Sequence, residues 1–122
     1  MRNKHIRFLK NLLKDSNPAG GSNHAALIYR GNSILSWGIN SYKPNSFLGQ
    51  FKDLPDWFVT DTGHAEMAAV QNFIKNRPYS ELSTCNLVVI RVKSDQLVNS
   101  RPCQYCDTVL TKLKLKSITY SG

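Results

Sequence analysis

Two apolar runs constrain this chain more than anything else in it. His24 to Arg30 is a short run of the kind found in buried strands, and Cys85 to Val92 is nearly continuous, the pattern of a strand covered on both faces. A sheet covered on both faces needs helices on both sides. Three segments qualify. Arg2 to Ser16 places Ile6, Leu9, Leu12 and Leu13 on one helical face. Gly63 to Asn76 carries Met67, Ala68, Val70 and Phe73-Ile74 as a stripe, and Pro78 follows its end. A third helix starts at Pro102, with Ser100 in the cap position and Val109, Leu110 and Leu113 on its inner side. Asn17-Pro18-Ala19-Gly20-Gly21-Ser22 breaks the chain after the first helix. Gly31-Asn32 turns the first strand back into Ser33 to Asn40, and Lys116 to Tyr120 is a last β-rich segment. The order is helix, two strands, helix, strand, helix, strand. It predicts a three-layer α/β/α sandwich with a mixed sheet: an antiparallel opening hairpin, then parallel strands joined by right-handed crossovers.

Length and charge bound the function classes. The 122 residues make one domain, 1–122, large enough to bury a core without disulfide staples. No apolar run approaches the length of a membrane span, so no membrane role is expected. Three Cys is an odd number for a disulfide framework and points to an intracellular, reducing compartment with thiols free for metal or chemistry. The first helix is basic like a targeting peptide but lacks the Ser content and cleavage context of one, and reads as part of the domain. The net charge of +8 is uneven: residues 1–30 hold six basic groups and one acid, 31–90 hold four and five, and 91–122 hold six and two. Basic ends attract phosphate, whether on a nucleotide or a strand, or simply form a solvated face.

Two helix starts hold the chemistry. One is His64-Ala65-Glu66 and the other Pro102-Cys103-Gln104-Tyr105-Cys106. Each follows a strand and loop, so both belong at the sheet edge where open α/β folds bind ligands. Cys103 and Cys106 are three apart, which puts both sulfurs on one helical face, and a helix N-terminus favours thiolates. One imidazole and two thiolates suit zinc, and three protein ligands leave a tetrahedral position for water, whose pKa then falls to about 7. Glu66, two residues from the imidazole, is placed to move protons without binding the metal. Two other readings stand beside this one. Cys-x-x-Cys also serves redox pairs, and a fourth ligand from Cys85 or His24 would close a structural zinc site. Neither gives Glu66 a role. Cys85 opens an apolar strand and reads as core, His24 reads as structural or substrate-adjacent, and His5 as exposed.

His-Ala-Glu followed by Pro-Cys-x-x-Cys resembles the signature of the cytidine deaminase-like zinc deaminases. The resemblance spans most of the chain. Ala25-Ala26-Leu27-Ile28 matches their first core strand, Gly38-Ile39-Asn40 the Gly-x-Asn closing their second, and Lys114 to Tyr120 the lead into their fourth. It implies Zn2+ held by His64, Cys103 and Cys106, with Glu66 as proton shuttle. It also implies Asn40 against the base or sugar, and backbone N–H groups near Ala65 and Cys103 positioning the ring. The implied reaction replaces an exocyclic amine by oxygen and releases ammonia.

Departures from the family pattern narrow the substrate. Nucleoside-specific relatives carry Asn-x-Glu where this chain has Asn40-Ser41-Tyr42, and purine-specific relatives carry Glu before Pro-Cys where this chain has Arg101. Cytosine is therefore expected over adenine, in a nucleoside or nucleotide, with Arg101 and Lys43 available to phosphate. A base within single-stranded DNA or RNA is the alternative. Many relatives continue beyond the position of Gly122, so a homo-oligomer whose second subunit completes the pocket wall is expected. Residues 41–62 are long for a loop and rich in aromatics. Trp57 and Phe58, nearest His64, are expected to form a lid that stacks on the base, while Phe47 and Phe51 are expected to cover the core or an oligomer interface.

Overall fold

The computed structural model describes residues 2–15, 23–41, 45–60, 64–94 and 96–122. The breaker at Asn17–Ser22, Tyr42, Lys43, Pro44 and Gly63 lie outside the described residues.

Strand β1 (Asn23–Arg30) is central because both of its faces are apolar. Ala25 and Leu27 face one side, where helix α1 (Asn3–Lys14) lays Leu9 over them together with Val88 and Ile90. Ala26 and Ile28 face the other, among Val70 and Phe73 of helix α3 (Ala65–Ile74) and Val109 and Leu110 of helix α4 (Gln104–Leu113). Period-two alternation in one strand thus builds two cores and three layers, as expected.

The strand directions differ from the sequence expectation. Strand β1 pairs antiparallel with β2 (Ser33–Ile39) and also antiparallel with β3 (Asn86–Lys93). Among the described residues only β3 and β5 (Ser117–Tyr120) are parallel neighbours. The reason is topological. The α3 crossover does return the chain in the direction of β2, but on the far side of β1, so β2 and β3 share a direction without touching. A further strand, β4 (Gln96–Val98), folds back on β3 as a short hairpin; three residues carry too little periodicity to announce it.

Helix α3 sits unusually close to β2. A Cβ on Gly38 would lie 2.5 Å from Ala68 Cβ and 2.6 Å from Ala69 N, so only glycine admits this approach. Ser36 Oγ donates to Ala69 O at 2.9 Å and Asn72 Nδ2 to Trp37 O at 2.7 Å across the same contact. These contacts set where α3 begins, and therefore where His64 stands. Of the aromatic stretch after β2, Ser46–Gln50 forms a 3₁₀ turn with Phe47 and Leu48 buried, and Asp56–Thr60 forms a short helix, α2. Phe51 packs on the core from its edge.

Helix α1 corrects a second expectation. His5 is not exposed but 1% accessible, and the buried stripe runs through His5 and Leu9, with Ile6 at its side. The neutral imidazole serves as an apolar body against Tyr29, with ring centroids 4.3 Å apart, and its nitrogens have no partner among the described residues. Burial, then the charges of Arg2 and Lys4, lower its pKa below the ordinary 6.5. Below pH 6.5 the unfolded chain therefore binds the proton more readily, and stability contributed by neutral His5 is lost as pH falls from there toward the folded value. His5→Phe is expected to reduce the drop in urea midpoint between pH 7.5 and 5.5 relative to the unaltered protein; an identical drop would show that His5 does not titrate on unfolding.

Candidate active site

Strands β2 and β3 end at the same sheet edge, and the segments that follow them lead to α3 and α4. His64 occupies the N-cap position of α3, with Ala65 and Glu66 in its first turn. Cys103 caps α4, its Sγ accepting from Cys106 N at 3.4 Å. This revises the expected helix start. The helix begins at Gln104 and is capped by Cys103 Sγ, while the Ser100 hydroxyl donates to Val89 O.

One donor atom from each of His64, Cys103 and Cys106 lies within 4.8 Å of the others, with Cys103 Sγ 4.0 Å from His64 Nδ1. Ligand atoms around a tetrahedral zinc are separated by about 3.5–3.8 Å, so this donor set fits the ion with a small inward movement. Among the described residues the cluster has these three donors. Cys85 is buried in the core with its thiol donating to Glu81 O at 3.3 Å, and His24 stands outside the cluster, so the four-ligand reading has no fourth ligand here.

Electrostatics divide the two thiols. A hydrogen bond from the Cys106 thiol, aided by His64, holds Cys103 down at about 4, so it is a thiolate. The same bond and burial push Cys106 far up, so it keeps its proton until a cation displaces it. Hydrogen bonding to Cys103 raises His64 against the opposing effect of burial. Glu66 is 4% accessible, and burial raises its carboxyl above the ordinary range. Burial favours the protonated form, so a carboxyl of this kind holds a proton more readily than an exposed one and can serve as a proton carrier.

The residues expected to meet substrate are differently placed. Asn40 follows β2; its Oδ1 accepts from His24 N at 3.1 Å and its own N–H donates to His24 O at 3.3 Å. Ala65 is buried in the first turn of α3, where a helix leaves its amides unpaired. Arg101 is exposed on the approach to Cys103. Trp57 is 50% accessible and stands edge-on to Tyr105 at 5.5 Å. Phe58 is fully buried, packed on the His64 ring at 4.9 Å and on Tyr105 at 5.6 Å. Of the expected lid pair, Trp57 is available at the surface and Phe58 is a wall that supports a metal ligand. Periodicity could not separate them, because adjacent residues on a single-turn helix point apart.

Other residues at the site were not legible. Tyr105, an x of the Cys-x-x-Cys motif, joins the aromatic cluster around His64. Tyr120, at the end of β5, has its phenol held neutral by burial and by the nearby charges of Glu66 and Asp107. His24 and Arg91 are register partners across β1 and β3, on the α3 side of the sheet by alternation with Ala26 and Val89. Burial, then the charges of Arg91 and His64, keep His24 neutral. Among the described residues, neither Arg91 nor Arg101 has a carboxylate at ion-pair distance.

Comparison with known proteins agrees with this arrangement. Residues 2–121 match the cytidine and deoxycytidylate deaminase zinc-binding region. No curated protein matches the chain. Among solved structures, dCMP deaminase from the cyanophage S-TIM5 in apo form is similar, with TM-score 0.59 and 19% identity over 98% of this chain and 84% of that one. The same enzyme in complex with dCMP and dUMP gives TM-score 0.60 and 19% identity over 98% and 82%. Guanine deaminase from Bacillus subtilis gives TM-score 0.56 and 20% identity over 98% and 64%. At these identities the likeness is one of fold. No helix among the described residues is long and apolar enough to cross a membrane. With its His64, Cys103 and Cys106 donors gathered at two helix starts and its whole length matched but for the terminal residues, the chain belongs to the cytidine and deoxycytidylate deaminase family of zinc-binding deaminases.

Proposed function

We propose that this protein hydrolyses the exocyclic C–N bond of cytosine in a nucleotide or nucleoside, releasing uracil in the same carrier and ammonia. The observation that carries the reading is Glu66, buried beside the His64, Cys103 and Cys106 donors with its carboxyl pKa raised. Those three side chains would hold zinc, whose Lewis acidity lowers the pKa of water at the open ligand position. Glu66 would carry one proton from the attacking water to the ring nitrogen and a second from the added hydroxyl to the amine, which leaves as ammonia. Asn40, tied to His24, orients the sugar or base, and the amide of Ala65, in the first turn of α3, would be available to the ring. Trp57 stacks from the surface side.

A phosphate on the substrate is favoured by Arg91 and Arg101, cations without carboxylate partners among the described residues on the approaches to the site. The likeness in fold to a dCMP deaminase solved with dCMP and dUMP supports the same class. Exposed Trp57 and exposed Arg101 also suit a base presented on a single strand, which is the second reading. A homo-oligomeric state also belongs to the proposal. The test is ammonia release from cytidine, deoxycytidine, their monophosphates and single-stranded oligonucleotides. Monophosphates are expected to give the highest kcat/KM, and Arg91→Gln to lower it at least about tenfold through KM. Turnover confined to adenine or guanine substrates would overturn the reading. Turnover confined to oligonucleotides, with steep loss in salt, would favour the strand-editing alternative.

A further inference from the structure

We propose that Ser100 and Ser121 form a clasp that positions the Cys103 thiolate for zinc, acting as positioning residues rather than as ligands or catalysts. The proposal rests on the reading of His64, Cys103 and Cys106 as the zinc ligands. It starts from an irregularity in the sheet. The outer edge of β3 is divided between two partners: β5 covers Asn86 to Val89 and β4 covers Arg91 to Lys93. Where one ladder stops and the other starts, backbone groups must find partners outside the regular pairing.

The two serines occupy that fork. Ser100 Oγ donates to Val89 O at 2.9 Å and accepts from Ser121 N at 2.8 Å, while Ser100 N donates to Ser121 O at 2.9 Å. Ser121 Oγ donates to Val98 O at 2.7 Å and accepts from Arg91 N at 3.1 Å. Ser121 N is also within 3.0 Å of Val89 O. Ser100 is 1% accessible and Ser121 5%, so water does not stand in for these hydroxyls. Gly122 presses the same segment from behind: its φ is +112°, and a Cβ there would lie 2.4 Å from Asn99 Cα. The clasp thus ties the end of β5, the end of β4 and the middle of β3 together.

Its consequence falls on Cys103. From Ser100 the chain runs through Arg101, whose N–H donates to Asn99 Oδ1 at 2.9 Å, and through Pro102, whose ring fixes φ. Three residues span at most about 10 Å, so the clasp limits how far Cys103 can stand from the fork. The other two ligands have support of their own. Cys106 is buried within α4, and the His64 ring is packed by Phe58. Cys103 is the half-buried N-cap of α4; besides the bond its Sγ accepts from Cys106 N, its position is set by the segment that leads to it. A Ser hydroxyl before Pro-Cys reads in the sequence as a helix cap; in the structure it anchors the ligand loop instead.

The test is zinc affinity by competition with a chromophoric chelator, together with the visible absorption of the cobalt-substituted protein, which reports thiolate geometry without any turnover. Ser100→Ala and Ser121→Ala are each expected to weaken zinc about tenfold or more and to shift the cobalt bands. The double variant is expected to cost less than the sum, because the two hydroxyls share one network. Thr111→Ala, which removes a hydroxyl bond to Asp107 O on the surface of α4, is expected to leave both readouts unchanged. Should Ser100→Ala not fold, Ser121→Ala decides, since it removes only the bonds to Val98 O and from Arg91 N. Unaltered zinc affinity and cobalt bands in the folded serine variants would overturn the clasp while leaving the ligand reading intact. Failure of the unaltered protein to bind zinc would overturn both.

Discussion

Turnover of a cytosine substrate is expected to fall at least about 10³-fold when Glu66 is replaced by Gln, with zinc retained at the level of the unaltered protein. The amide has the shape of the carboxyl and keeps a donor and an acceptor, so packing in the first turn of α3 is preserved. It cannot take up a proton. Burial raises the Glu66 carboxyl above its ordinary range, so it holds a proton more readily than an exposed carboxylate, and this is the property the substitution removes. Zinc is expected to be retained because Glu66 is not one of the three donors, His64, Cys103 and Cys106, that could hold it. Ammonia release and metal content on the same sample check the expectation. Turnover like that of the unaltered protein would exclude Glu66 as proton carrier, and loss of zinc would show that it supports the ligand set instead.

Cys106→Ala is expected to lower zinc affinity by roughly 10³-fold. Protein zinc sites bind with about 10–16 kcal/mol in all, and one of three ligands is lost here. The pH dependence should change with it. In the metal-free protein Cys103 is already a thiolate, held at about 4, whereas Cys106 holds its proton well above the ordinary thiol range. Zinc must displace that proton, so affinity in the unaltered protein is expected to rise about tenfold per pH unit through the neutral range. The dependence steepens below the raised pKa of His64, where a second proton has to leave. In Cys106→Ala the proton from Cys106 is absent and the slope should flatten by one unit. Chelator competition at several pH values measures both quantities; an unchanged slope would mean that Cys106 is not a ligand.

Much of this architecture is legible in the residues because it depends on short-range rules. The alternation of Ala25 and Leu27 against Ala26 and Ile28 is a property of any strand, and it requires a layer on each face. The spacing of Cys103 and Cys106 follows from the pitch of a helix, and both lie at a helix start whatever the rest of the chain does. The three donors and Glu66 were therefore readable, as was the core position of Cys85. His5 was not, because its side chain suits a surface as well as an interior, and only the packing of Tyr29 over it selects the neutral buried form.

The sequence by itself determined which groups can do chemistry here and that two helix starts would carry them, since ligand type and local spacing are covalent facts of the chain. Tertiary structure decided the rest. The α3 crossover steps over β1 because β1 already occupies the place beside β2, and that makes β1 and β3 antiparallel. Phe58 turned inward and Trp57 outward because only one of two adjacent rings can reach the core from a single-turn helix. Ser100 became part of a clasp and not a cap because the end of β5, twenty-one residues further on, arrives at the same fork in the sheet. Such pairings between distant segments are set by which edges of the sheet remain open, a property that no local pattern of residues contains.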